Sequence, residues 1–77
     1  MEERELTFGE KACGVPFNPD GNDLVAEIKA HFAAVVDNLN LLRGVTTSDE
    51  VKRMLSIAIT DVQTAQMWAV KAITWQY

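Results

Sequence analysis

The chain has 77 residues, a net charge of −4, one cysteine and one histidine. One domain of this size sits near the limit at which a single core holds itself together, and one Cys with one His can build neither a disulfide nor a structural zinc site. The acidic balance argues against a binder of DNA or RNA polymer held by a basic surface. No apolar run approaches the roughly 20 residues of a membrane span. The opening MEERELTFGE is acidic and unlike a signal sequence, so a cytoplasmic setting without a membrane partner is expected. Seven of the eleven acids fall within residues 1–27, which hold only Arg4 and Lys11 as cations. From residue 28 onward five Lys and Arg face four acids, which leaves room there for a local anion site.

Residues 1–22 read as an N-terminal arm. A short helical turn is expected within residues 1–10, anchored by Leu6 and Phe8, with Glu2, Glu3 and Glu5 as a solvated acidic tail. The stretch KACGVPFNPDGN is a loop, because Pro16 and Pro19 disfavour helix at the residue before each and Pro-Asp-Gly is a turn signal. Val15 and Phe17 are expected to pin it onto the helices. Residues 23–77 then read as a helical hairpin. The first long helix, about 23–43, starts at a cap on Asn22 or Asp23 and carries Val25, Ile28, Phe32, Val35, Leu39 and Leu42 at alternating three- and four-residue steps. Gly44 suits a left-handed terminator, with Arg43 in the last turn where a cation favours the helix dipole. A short loop, VTTS, makes the two helices antiparallel neighbours.

The second helix opens on a predicted capping box of Thr47 and Glu50. Its matching seam is Val51, Leu55, Ala58, Val62, Ala65, Ala69 and Ala72. It is expected to outrun the first helix by about ten residues, roughly 15 Å at 1.5 Å each. Trp75 and Tyr77 would then project past the hairpin or cover the arm. Outside the seam lie Met54, Ile57, Ile59, Met67, Trp68, Val70 and Ile73, more apolar surface than one partner helix covers. A helix apolar nearly all round is normally buried nearly all round, so the fold expected is an all-α, antiparallel two-helix hairpin with a short N-terminal arm or helical turn, assembling as a homo-oligomer.

Residues with chemical capacity are few. His31 reads as a surface histidine and Cys13, with no histidine near it in sequence, as an incidental thiol. Gly9, Gly14 and Gly21 are too scattered for a phosphate loop. Catalysis is not expected. Lys29 lies at the seam's edge where the arm bearing Phe17 folds back, and a cation beside an aromatic ring suits a nucleotide. Chemistry alone favours the plainer reading, a surface lysine paired with Glu27 or Asp23. Thr60 and Thr64 at i, i+4 either line a polar pocket at a symmetry axis or are ordinary exposed positions. Trp68 and Trp75, one heptad apart, suit an oligomer core better than a stacking platform.

Two stretches carry a resemblance: QTAQMWAVKAITW, above all Met67 to Ala72, and FNPDGNDLVAEIKAHFAAVVDNLN, whose entry ends at Lys29. Across about residues 15–76 the chain resembles the small phage anti-CBASS proteins, whose helical hairpin is shared with a phage anti-Thoeris sponge. The resemblance implies a helical oligomer, typically a hexamer, that binds a cyclic oligonucleotide signal without cleaving it, and no cofactor. It assigns Lys29 to a cyclic dinucleotide held between protomers, and Phe8 or Phe17 to the arm's aromatic position, usually a tyrosine. A cyclic trinucleotide site where three copies converge would fall at Thr60 and Thr64 with Arg53 the nearest arginine. Ile59 stands where a basic residue is expected. ADP-ribose-derived signals are the related alternative ligand. A hairpin that binds another protein through its Trp and Met face is the alternative of a different kind.

Overall fold

In the computed structural model residues 4–77 are described, and Glu2 and Glu3 of the expected acidic tail lie outside them. The described residues form three helices and no strand: α1 (Phe8–Ala12), α2 (Asp23–Val45) and α3 (Asp49–Ile73). α1 is too short to stand alone and is held by its ends. Thr7 and Glu10 form a capping box, and Arg4 grips both carboxylate oxygens of Glu10 at 2.7 and 2.6 Å. Docking onto α2 runs through Asp37, which accepts from the Gly9 amide at 2.7 Å and from the Thr7 hydroxyl at 2.8 Å. Gly9 is buried so tightly that a β-carbon there would lie 2.1 Å from the Ala33 carbonyl oxygen. Polar bonds and the missing side chain therefore anchor α1. Of the expected anchors, Leu6 is half-buried, and Phe8 stays exposed with its ring 5.5 Å from the Arg43 guanidinium.

Asn22 caps α2, its side chain accepting from the amides of Leu24 and Val25. The helix does not stop at Gly44. It runs on to Val45, Thr46 closes the last turn onto Leu42, and among the described residues positive φ occurs only at Gly14 and Gly21. Glycine permits a left-handed exit without imposing one, and Arg43 holds the final turn through Asn40 at 2.7 Å and Ser56 of α3 at 3.1 Å. After residues 46–48, Ser48 and not Thr47 caps α3, accepting from the Val51 amide. Glu50 instead pairs with Arg53 at 2.6 Å. α3 ends at Ile73, where the Thr74 hydroxyl bonds back to the Val70 carbonyl at 2.8 Å. The helices thus have 23 and 25 residues, nearly equal instead of ten apart.

The seams also differ from the expected ones. α2 buries Val25, Lys29, Ala33 and Val36, and α3 buries Ile59 and Gln66, while Val35, Leu42, Val51, Ala65 and Ala72 face outward. The cause is α1. It packs on α2 and reaches α3 through the Gln63 amide on the Ala12 carbonyl at 3.2 Å, so the core forms around Cys13, Ala33, Val36 and Ile59, with Val15, Phe32, Leu39 and Val62 packed on it. A pairwise heptad seam leaves no room for that third element.

The resulting body measures 44 × 38 × 12 Å, one helix layer thick. It exposes 5754 Å², against about 4,700 Å² expected for a compact monomer of this length. Stable domains pack two layers around a core, and this chain supplies one. Met54, Ile57, Met67, Trp68 and Trp75 are all left exposed on α3 and beyond it.

Candidate functional site

Two tight turns shape the connection from α1 to α2. In the first, the Phe17 amide donates to the Gly14 carbonyl at 2.9 Å, with Gly14 at φ 60°. In the second, the Gly21 amide donates to Asn18 at 3.0 Å, and Asn18 and Asn22 clasp each other through side chain and backbone at 2.9 and 3.1 Å. Lys29 reaches up from α2 to join the loop to the helix. Its ammonium donates to the Gly14 carbonyl at 3.0 Å and to the Phe17 carbonyl, and it is only 5% exposed. A buried ammonium is tolerable where carbonyl oxygens replace its water. Between this loop, Val25 and Lys29 of α2, and Val70 and Thr74 of α3 lies a half-open cleft of about 240 Å³.

The structure brings Lys29 and Phe17 together here. The Phe17 ring centre lies 5.5 Å from the Lys29 nitrogen, and the ring is 74% exposed. Phe17 therefore does not pin the arm with its side chain; its carbonyl does so through Lys29. Nor does Lys29 pair with Glu27 or Asp23, as the plainer surface reading has it. Phe8 is elsewhere, beside Arg43. Thr60 and Thr64 stand exposed along α3 with their hydroxyls bonded back to the Ser56 and Thr60 carbonyls at 3.2 and 3.1 Å, and Arg53 is engaged by Glu50. Asn18, Asp20, Val70 and Thr74 line the cleft without having been picked from sequence. The doubled Asn of FNPDGN was a usable signal for the loop residues. Val70 and Thr74 had none, since they reach the cleft only through the register of α3 on α2.

The other chemically capable groups lie apart. The Cys13 thiol is pushed up mainly by burial and next by the Asp37 carboxylate, with Lys29 opposing, so it stays protonated and poorly nucleophilic at neutral pH. His31 is exposed beside Glu27, Leu24 and Ile73. Among the described residues no group of His, Cys, Asp and Glu could hold a metal ion, and no helix is long and apolar enough to cross a membrane.

These features define a small helical-hairpin protein with a loop-covered, lysine-based cleft. Residues 11–74 match the family model described as the Acb2/Tad1 hairpin domain. The chain belongs to that family, the anti-CBASS and anti-Thoeris sponges, proteins that sequester signals and are not enzymes. Neither a curated protein nor a solved structure matches it.

Proposed function

We propose that the chain is a phage-type immune-evasion sponge that captures a cyclic dinucleotide second messenger intact and so blunts CBASS-like host defence. One observation carries the reading: an exposed aromatic ring held 5.5 Å from a buried ammonium at the mouth of a cleft. An ammonium has three N–H donors. Two of those on Lys29 go to the loop carbonyls, and the third is left for a phosphate oxygen while the Phe17 ring stacks on a base. Because the loop is already closed, little ordering is needed on binding, which favours affinity.

The cleft's 240 Å³ falls short of the roughly 300–1,000 Å³ that small-molecule sites provide, so a neighbouring copy supplies the rest. The single helix layer and the exposed Trp68 and Met67 support the same assembly, a homo-oligomer and by family analogy a hexamer. About 1,000 Å² of excess surface is comparable with the 800 Å² each partner contributes to a standard interface. A cyclic trinucleotide would occupy a second place, along Thr60 and Thr64 where three copies converge, with Arg53 released from Glu50 to meet it.

The test is calorimetric titration against cyclic dinucleotides, cyclic trinucleotides and cyclic ADP-ribose isomers, followed by recovery of the ligand from denatured protein. Submicromolar binding and an intact ligand are expected, with Lys29→Ala weakening dinucleotide binding at least tenfold. A response only to ADP-ribose derivatives would reassign the signal to the Thoeris type. No binding across the panel would sink the sponge reading and favour a hairpin that docks another protein through its Trp and Met face.

A further inference from the structure

The polar side chains lining the cleft are nearly all committed within the chain. Asn18 and Asn22 clasp each other, the Thr74 hydroxyl bonds to the Val70 carbonyl, and two Lys29 donors go to the loop. Asp20 differs: it lines the cleft, is exposed, and among the described residues its carboxylate has no hydrogen-bond or ion-pair partner. The turn it sits in does not need that carboxylate, because the Gly21 amide to Asn18 carbonyl bond closes it at 3.0 Å.

Resting on the cyclic-dinucleotide reading above, we infer that Asp20 makes the cleft selective for a guanine base. A carboxylate repels the phosphates of the ligand, so its place is against a group that donates. Adenine and cytosine each present one exocyclic amino group. Guanine presents N1–H and the N2 amino group side by side on one edge, a match for both oxygens of a carboxylate, which accepts without donating. Charge-assisted paired bonds of this kind are the strong ones. Buried Lys29 then meets phosphate, Phe17 stacks the base, and exposed Asp20 reads its edge.

The experiment measures Kd for cyclic di-GMP, cyclic di-AMP and cyclic di-IMP, whose base lacks the N2 amino group, on the wild-type chain, Asp20→Ala and Asp20→Asn. The wild type is expected to prefer cyclic di-GMP over cyclic di-AMP by roughly 5- to 150-fold, the range for one good bidentate base contact, with cyclic di-IMP well below cyclic di-GMP. In both variants the preference should collapse while cyclic di-AMP binds as well or tighter, since a repulsive charge is gone. A merely structural role for Asp20 would weaken all three ligands together. Equal wild-type affinities, or a guanine preference that survives Asp20→Ala, would overturn the inference and leave the sponge reading standing. Failure of every cyclic dinucleotide to bind the wild type would overturn both.

Discussion

Gly9→Ala tests how the arm is held and whether the cleft depends on it. A β-carbon at this position would meet the Ala33 carbonyl oxygen at 2.1 Å, the Ala33 carbonyl carbon at 2.9 Å and Asp37 Cγ at 2.9 Å. Two of these are backbone atoms in the middle of α2 and cannot yield, so α1 must retreat by roughly 1 Å to restore ordinary contact. That shift stretches the Gly9 amide and Thr7 hydroxyl bonds to Asp37, now 2.7 and 2.8 Å, past the useful range for hydrogen bonds. Each bond to a charged acceptor is worth about 1.5–3 kcal/mol, less here because the Thr7 bond is exposed. The expected loss is about 2–4 kcal/mol of arm docking, with Cys13 and Val15 partly leaving the core. Hydrogen exchange of the amides of residues 9–15 reads this locally, and thermal unfolding at fixed protomer concentration reads it globally. Gly44→Ala is the control: its β-carbon meets nothing within 4 Å and its backbone is helical, so it should stabilise by up to about 1 kcal/mol. Unchanged amide protection and unfolding temperature in Gly9→Ala would refute the close-packing argument. Nucleotide affinity should fall in the same variant, because the turn carrying Phe17 follows α1.

Three further predictions are independent of that one. Ser48→Ala should cost about 1 kcal/mol by removing the α3 cap while Thr47→Ala costs little, and chemical unfolding of the pair decides which residue caps. Glu10 is pulled down to about 2 by the Arg4 hydrogen bond and then the Thr7 amide. A lowered carboxylate stabilises above its ordinary value of 4.5 and loses that contribution as pH falls toward 2, so amide exchange in α1 should accelerate over that interval, and an Arg4→Ala chain should lose its protection at a higher pH. Trp68→Asp places a charge on an indole position that is 65% exposed in one chain. If that face is the subunit contact, the unpaired charge dissociates the assembly, and light scattering showing full mass would exclude it.

The two long helices and their hairpin were legible from sequence because they rest on local signals: Asn22 as a cap, Pro16 and Pro19 as breakers, and long runs without Gly or Pro. The turn expected within residues 1–10 is instead a third helix that runs to Ala12, into the stretch read as loop. The apolar surplus on the last helix was legible too, as a matter of counting. The lines of burial were not. A heptad reading treats two helices as each other's only partners, whereas here α1 enters the packing, and it can do so only because Gly9 lacks a side chain and Asp37 stands opposite to receive it. Polar Lys29 and Gln66 became buried while Val35 and Leu42 faced out. Lys29 and Phe17 could be picked as site candidates from residue chemistry and family resemblance. That the Phe17 backbone, and not its ring, receives the ammonium depends on how the loop returns over α2. Chain-local preferences gave the Asn22 cap and the breaks at Pro16 and Pro19, but not the α3 cap at Ser48 or the helix extents, which ran past Gly44 and came out nearly equal. Which side chain meets which carbonyl across ten or more residues is decided by tertiary packing, where steric gaps and hydrogen-bond partners come from segments that sequence spacing cannot align.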